Sequence, residues 1–247
     1  LGDFEEPTAP FGVLDVHSGS ERVRETRRTL DAPLSRRLRE RARQHGVTPA
    51  VLFHVAWAQV LARCSGRDDV VFGTVLSGRL QGNEGAEHMV GMFINTLPIR
   101  LPVARYSVAE AVAETYRRLG ELLTHEQASL ALAQRSSAVQ SPLPLFTALL
   151  NYRHTHEADT DELAAADQAW VGIRMLGSEE RTNYPLTMSV GDWGQGFTLT
   201  SQCVAGIDPL QLSYFMETAL HELVAALAER PTLPLSQLEV LSGAQRA

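Results

Sequence analysis

The feature that most restricts the fold is a change of apolar period along the chain. After Thr48-Pro49, the side chains Leu52, Phe53, Ala56, Trp57, Val60 and Leu61 recur at three- and four-residue steps, as on a broad buried helix face. Residues 70–76 (Val-Val-Phe-Gly-Thr-Val-Leu) follow a turn at Gly66-Arg67-Asp68 and form a β-branched run, which reads as a strand. Further strands are expected at 146–152, 169–175, 186–190 and 197–204, with a short one at 11–16. The pair 186–190 and 197–204 is joined by a turn from Gly191 to Gly196. Helices and strands that mix irregularly, with at least one hairpin, favour an α/β mixed-sheet sandwich with flanking helices over a repeating βαβ barrel.

Helix ends are marked by local chemistry. Asp31 and Pro33 open a helix carrying Leu34, Leu38 and Ala42, with Gly46 as its stop. Thr48-Pro49 opens the next one as N-cap and first helical residue. Ser107 and Glu110 have capping-box spacing for a helix running to about Leu123. Asp208-Pro209 starts a long helix to about Glu229, with Leu212, Phe215, Leu220, Leu223, Val224 and Leu227 inward. Residues 1–30 are expected as an extended linker, 31–230 as the folded body, and 231–247 as a loosely patterned tail.

Of the 247 residues, 44% are hydrophobic and 21% charged, enough apolar content for a packed core and too much for a disordered chain. Net charge is −7 and all 22 basic residues are Arg, which argues against nucleic acid as a partner. No apolar run approaches the roughly 20 residues that span a bilayer. The first residues, Leu1-Gly2-Asp3-Phe4, have no signal-peptide layout, so a cytoplasmic setting without membrane contact is expected. Cys64 and Cys203 stand far apart and fit buried thiols better than a disulfide or zinc site.

A search for catalytic constellations finds none. There is no Walker A loop and no G-x-S-x-G elbow, and the glycines of residues 191–196 lie between two strands, where a dinucleotide loop would need a following helix. His154, His156, Glu157, Asp159 and Asp161 cluster in a polar stretch that reads as a solvated loop, so no metal is assigned. Acyltransferases that use a histidine general base carry H-x-x-x-D. Four places after the eight histidines stand Glu21, Pro49, Ala58, Met92, Ser129, Ala158, Thr160 and Ala225; none is Asp.

Two segments are more specific. Val90-Gly91-Met92-Phe93-Ile94-Asn95-Thr96-Leu97-Pro98-Ile99-Arg100 resembles the (I/V)GxFVNTxxxR motif of nonribosomal peptide synthetase condensation domains, and residues 67–79 resemble the stretch that precedes it there. His125-Glu126-Gln127 stands where the family has (H/N)QD, with Glu-Gln replacing Gln-Asp. Residues 149–154 and Arg181-Thr182-Asn183-Tyr184-Pro185-Leu186 are similar to two later family segments, in family order.

The resemblance implies one chloramphenicol-acetyltransferase-like lobe, the C-terminal one of a two-lobed domain. The family's HHxxxDG lies in the N-terminal lobe, so no catalytic residue is assigned here and the isolated chain is expected to be inactive. The intact domain would join a donor acyl or peptidyl thioester to the amine of an acceptor aminoacyl group and form an amide. Both reactants would be tethered on phosphopantetheine arms, making the step effectively intramolecular. Expected partners are the N-terminal lobe, upstream and downstream peptidyl carrier proteins and an adjacent adenylation domain; the chain itself would hold no cofactor.

The resemblance also implies a tunnel-floor region around Ser77, Gly78, Arg79, Gly91, Asn95 and Thr96, and a latch near Asp192, Trp193 and Gly194. Asn95 leads, because its amide both donates and accepts, although it could equally satisfy backbone in a bend. Arg79 could pair with the other lobe or lie free at the surface. Tyr184 and Pro185 would shape a strand start, and Met89, Met92 and Phe93 would be core, with Met92 alternating toward the tunnel. The face meeting the other lobe would leave an isolated fragment prone to self-association. A carrier-protein docking module and a lobe of an epimerization-type homologue remain open as other readings.

Overall fold

In a computed structural model of the chain, which describes residues 1–15, 23–78, 90–154, 172 and 182–246, six strands form one mixed sheet. They are β1 (Arg24–Thr29), β2 (Asp69–Leu76), β3 (Asn95–Pro102), β4 (Ala148–His154), β5 (Leu186–Asp192) and β6 (Phe197–Cys203), in the spatial order β1-β6-β5-β4-β2-β3. The β2–β4 and β4–β5 pairs are parallel and the other three antiparallel. The helices are α1 (Ala32–Gln44), α2 (Pro49–Ser65), α3 (Val108–Leu123), α4 (Leu130–Arg135), α5 (Pro209–Glu229) and the terminal turn α6 (Gly243–Arg246).

The expected caps set the helix boundaries. Asp31 accepts from the Leu34 N–H at 2.6 Å, Asp208 from the Leu210 N–H at 3.0 Å, and Ser107 with Glu110 makes a reciprocal capping box. Thr48 occupies the N-cap of α2 without a side-chain bond, and Pro49 begins the helix. Helix α2 is sealed from residue 51 to 62, as its broad apolar set requires, and touches α1, α3, α5 and β2. It lies at the middle of the helical layer covering one sheet face. Between helices and sheet pack Trp57, Phe53, Phe72, Ile99, Leu150, Met188, Leu199, Met216 and Leu220.

Because strand side chains alternate, residues between these core positions point to the other face. At the β2–β4 end that face holds a second apolar cluster: Val71 and Leu149 meet Phe4, Val139, Leu145 and Phe146. Farther along, it becomes polar across β5, β6 and β1.

The strand expected at 11–16 does not form across its described part. Phe11 (φ 58°) and the following Gly12 bend residues 10–12 into a 3-10 turn. The polar run 24–29, expected as part of the extended linker, pairs along its whole length with β6 and completes the sheet edge. The tail expected to be loose at 231–247 straps the helical layer through its described part: Leu235 and Leu238 are buried, and the Leu238 carbonyl accepts from Gln59 at 2.7 Å. The 169–175 strand lies outside the described residues except at Gly172.

Strand β3 forms the opposite edge. Prolines at 98 and 102 remove two of its outward donors, Asn95 Oδ1 takes the Thr96 N–H, and Arg118 caps the Arg100 carbonyl at 2.6 Å. An edge so blunted resists pairing with a further strand.

Candidate functional site

The motif residues converge where β2 ends and β3 begins. Gly78 sits at φ 69°, and a Cβ on it would lie 1.8 Å from the Phe93 carbonyl oxygen, so only glycine lets residue 93 approach so closely. The Gly78 carbonyl accepts from Gln127 Nε2 at 2.7 Å. Asn95 Nδ2 donates to the carbonyls of Glu126 (2.8 Å) and Ala128 (2.7 Å), while its Oδ1 accepts from the Thr96 N–H (2.9 Å). Gly78, Phe93, Asn95 and the 126–128 turn are thus one knot, tied largely by side-chain amides to backbone, with Ser77 exposed beside it. The Asn95 amide is spent inside the chain, which makes it a residue that positions the start of β3.

Gly91 is exposed, and a Cβ there would meet the Phe93 ring at 2.9 Å. Met92, expected as core, is 97% exposed, flanked by fully exposed Val90 and by Ile94 at 71%. These alternate side chains form an apolar ridge leading into Asn95. Arg79 and Met89 lie outside the described residues.

The expected latch is a tight turn. The register closes at Asp192 opposite Phe197, the Trp193 N–H donates to the Gly196 carbonyl at 3.0 Å, and the Trp193 indole folds back onto Thr198 at 3.2 Å.

Asp192 is instead a buried hub. Arg39 of α1 donates to Oδ1 at 2.5 Å, the Tyr152 hydroxyl donates to Oδ2 at 2.6 Å, the Gly194 N–H adds a bond at 3.1 Å, and His154 Nδ1 lies 3.2 Å away. The Arg39 guanidinium also stacks 4.2 Å over the Phe197 ring. Burial by itself would raise the Asp192 carboxyl, but the bonds from Arg39, Tyr152 and Gly194 outweigh it and hold the pKa at about 2. Sequence reasoning missed this hub, since Arg39 and Tyr152 lie 153 and 40 residues away.

Tyr184 stacks on Phe146 with centroids 5.5 Å apart, and burial raises its phenol pKa. The Pro185 carbonyl accepts from the Val204 N–H at 3.0 Å, locking the start of β5.

His54 of α2 is buried. Its Nδ1 lies 2.7 Å from the Ala50 carbonyl, which can only accept, so that nitrogen carries the proton and Nε2 accepts from Thr74 Oγ1 at 2.8 Å. Burial lowers its pKa to about 4, leaving a neutral packing residue. Burial pushes both the Cys64 and Cys203 thiols up to about 12, the reverse of an activated nucleophile; Cys64 is only partly buried.

A cleft of about 560 Å³ beside edge strand β3 is lined by Leu97, Pro98, Arg100, Leu122, His125 and Ala128, among others. Arg100 in its lining is bound to Asp69 (2.7 Å) and Asp3 (2.5 Å), so its charge is answered within the chain. Among the described residues, no three His, Cys, Asp or Glu side chains are grouped as a metal site.

Comparison with known proteins agrees with this geometry. The chain is 48% identical to malpibaldin synthetase of Mortierella alpina over 98% of its length and 46% identical to malpinin synthetase of the same organism over all of it. It spans only about 4% and 3% of those proteins. The condensation domain of the monacolin K polyketide synthase MokA superposes with a TM-score of 0.67 at 23% identity, covering 95% of this chain and 52% of that one. The X-domain from teicoplanin biosynthesis gives 0.70 at 21%, covering 96% and 54%. Mixed sheet and flanking helices are thus the chloramphenicol-acetyltransferase-like architecture of these structures. The family model described as Condensation domain matches residues 15–247, and the chain belongs to that family.

Proposed function

We propose that this chain is the C-terminal lobe of a nonribosomal peptide synthetase condensation domain. With its N-terminal lobe it joins a donor acyl or peptidyl thioester to an acceptor aminoacyl amine, both held on the phosphopantetheine arms of carrier proteins. The observation carrying this reading is a coincidence of two facts. The chain aligns over nearly its full length with about half of the MokA condensation domain and about half of the teicoplanin X-domain, and its sequence lacks H-x-x-x-D.

In this reading the lobe positions and the other lobe does proton chemistry. Amide formation needs the attacking amine to lose a proton as it adds to the thioester carbonyl, with the arm's thiol as leaving group. A neutral, sequestered His54 is not placed to take that proton. The knot at Gly78, Phe93, Asn95 and Gln127 holds the ridge Val90-Met92-Ile94 outward, and that ridge suits contact with the other lobe. Working partners are that lobe, the upstream and downstream carrier proteins and a neighbouring adenylation domain, in the cytoplasm. No cofactor resides in the chain.

The test compares this chain alone with the intact parent protein, each given donor-loaded and acceptor-loaded carrier proteins, with the amide product read by mass spectrometry. The intact protein is expected to form the amide and the chain alone none. Amide formed by the chain alone would overturn the reading.

A further inference from the structure

The two edges of the sheet are finished differently. At β3, Pro98, Pro102, Asn95 and Arg118 remove or cap much of the outward backbone. At β1 no such device stands among the described residues. The Leu30 N–H donates to the Phe197 carbonyl at 2.9 Å, so 30 and 197 are a hydrogen-bonded pair. By alternation the inward bonds of β1 belong to Arg24, Thr26 and Arg28. The Trp193 N–H on the Gly196 carbonyl sets the same alternation from the other side of β6. The N–H and C=O groups of Glu25, Arg27 and Thr29 therefore point away from the sheet, and none of them has a partner among the described residues. No proline interrupts the six-residue strand. Such an edge is a template for a further strand.

We infer that the strand added at this edge is β1 of a second copy of the chain, antiparallel across a twofold axis at Thr26, which joins the two six-stranded sheets into one. The edge sequence selects both occupant and register. A twofold axis must pass through a residue, since an axis between residues would set outward groups against inward ones. Centred on Glu25 or on Arg27, the pair brings like charges face to face, which destabilises it. Centred on Thr26, it sets Glu25 opposite the partner's Arg27 and Arg27 opposite the partner's Glu25. The charges are then complementary twice over, and each opposed pair exchanges both backbone bonds. Neither charge is neutralised within the described chain. Arg27 is exposed and has no ion-pair partner there, and Glu25 accepts from the uncharged Gln202 amide at 2.8 Å. On the helical face Arg24 comes opposite the partner's Arg28. That charge is already held, in each copy, by Glu217 at 2.7 Å and by the Tyr214 ring at 4.3 Å. Tyr214, 38% exposed, adds aromatic surface beside the pairing.

The test is the mass of the full 247-residue chain in solution, followed by sedimentation across a concentration series. A small polar interface of this kind is expected to give a monomer–dimer equilibrium with Kd on the order of 10 µM. Arg27→Glu and Glu25→Arg are each expected to weaken it about tenfold or more, by setting like charges opposite one another. Both substitutions in one chain restore opposite charges in the same register, and Kd should return to within about threefold of the unsubstituted value. Thr26→Cys reads the register directly. Its two copies meet on the axis as a non-hydrogen-bonded pair, with Cα atoms about 4.5 Å apart, within disulfide reach. Mild oxidation should link most of that variant into a covalent dimer. Arg24→Cys, whose two copies are displaced along the strand, should stay unlinked, as should the unsubstituted chain with its buried Cys203 and partly buried Cys64.

A chain that stays monomeric at every concentration would overturn the inference. So would a dimer indifferent to both single charge variants, a double variant no better than the single ones, or a Thr26→Cys variant that links no faster than Arg24→Cys. A dimer lost in Met92→Ser and kept by the edge variants would place the contact at the apolar ridge 90–94 and overturn the inference equally. If a charge variant fails to fold, the two cysteine variants of the same edge strand decide the matter.

Discussion

The two faces of the sheet are built on opposite rules. Toward the helices, β4, β5 and β6 present Ala148, Leu150, Leu186, Met188, Val190, Phe197 and Leu199, each essentially sealed from water. From the same strands, one residue on, the other face presents Asn151, Ser189 and Thr200, whose polar atoms find no partner in the described chain. Apolar burial stabilises by about 25 cal/mol per Å² and asks nothing of geometry. A polar face needs partners or water for its side chains and adds little to the packing that holds the chain folded. One face makes the core; the other carries the polar side chains.

The largest expected effect lies on the helix side. Phe53 packs at a tilt against Phe197 (centroids 5.0 Å) and Tyr152 (5.7 Å), and Phe53→Ala should cost about 3–5 kcal/mol in urea unfolding. A loss below about 1 kcal/mol would break the contrast between the faces.

Asp192→Asn comes next, at about 3 kcal/mol, because it strands the partly buried Arg39 guanidinium. Its pH signature is specific. The carboxyl pKa is held at about 2, below the 3.8 of a free Asp, so the stabilisation is complete above pH 4 and fades as pH falls toward 2. The Asn variant should show a flatter stability curve over that window, and an unchanged slope would show that Asp192 is not the group responsible.

Asn95→Ala removes three hydrogen bonds to backbone and should cost about 2 kcal/mol. Hydrogen exchange should then quicken at Thr96 and through residues 126–128. Loss of amide formation in the intact protein without loss of stability would instead make Asn95 a substrate contact. The smallest effect is expected at the polar face: Ser189→Ala should move stability by less than about 0.5 kcal/mol, since its side chain has no hydrogen-bond partner among the described residues. A drop of about 2 kcal/mol would show that this face serves folding after all.

What was legible in the sequence was whatever depends on near neighbours. Asp31, Ser107 with Glu110, and Asp208-Pro209 announced helix starts because a cap acts within three residues. Strand β1 was read only as extended linker because Arg-Glu-Thr-Arg-Arg-Thr carries no apolar alternation; its identity comes from pairing with β6, some 175 residues away. The short helix α4 went unread for want of length, and Phe11-Gly12 turned where an alternating run suggested a strand. The motif at 90–100 marked the right neighbourhood, but which of its groups are already spent, Asn95 above all, depends on the 126–128 turn packed against it. The Asp192 hub exists only once β4 and β5 are paired and α1 is packed against them. The departure at Glu126-Gln127 acquired a role in the same way, Gln127 reaching Gly78.

The central claim is that this half of the site holds reactants and moves no proton. The direct measurement replaces each of the eight histidines of the chain in turn by Gln within the intact parent protein and follows amide formation between loaded carriers. Every variant that remains folded is predicted to keep kcat within a few-fold of the unsubstituted protein. A folded variant losing about 10²-fold or more, the scale of a general base, would place proton transfer in this lobe and contradict the account.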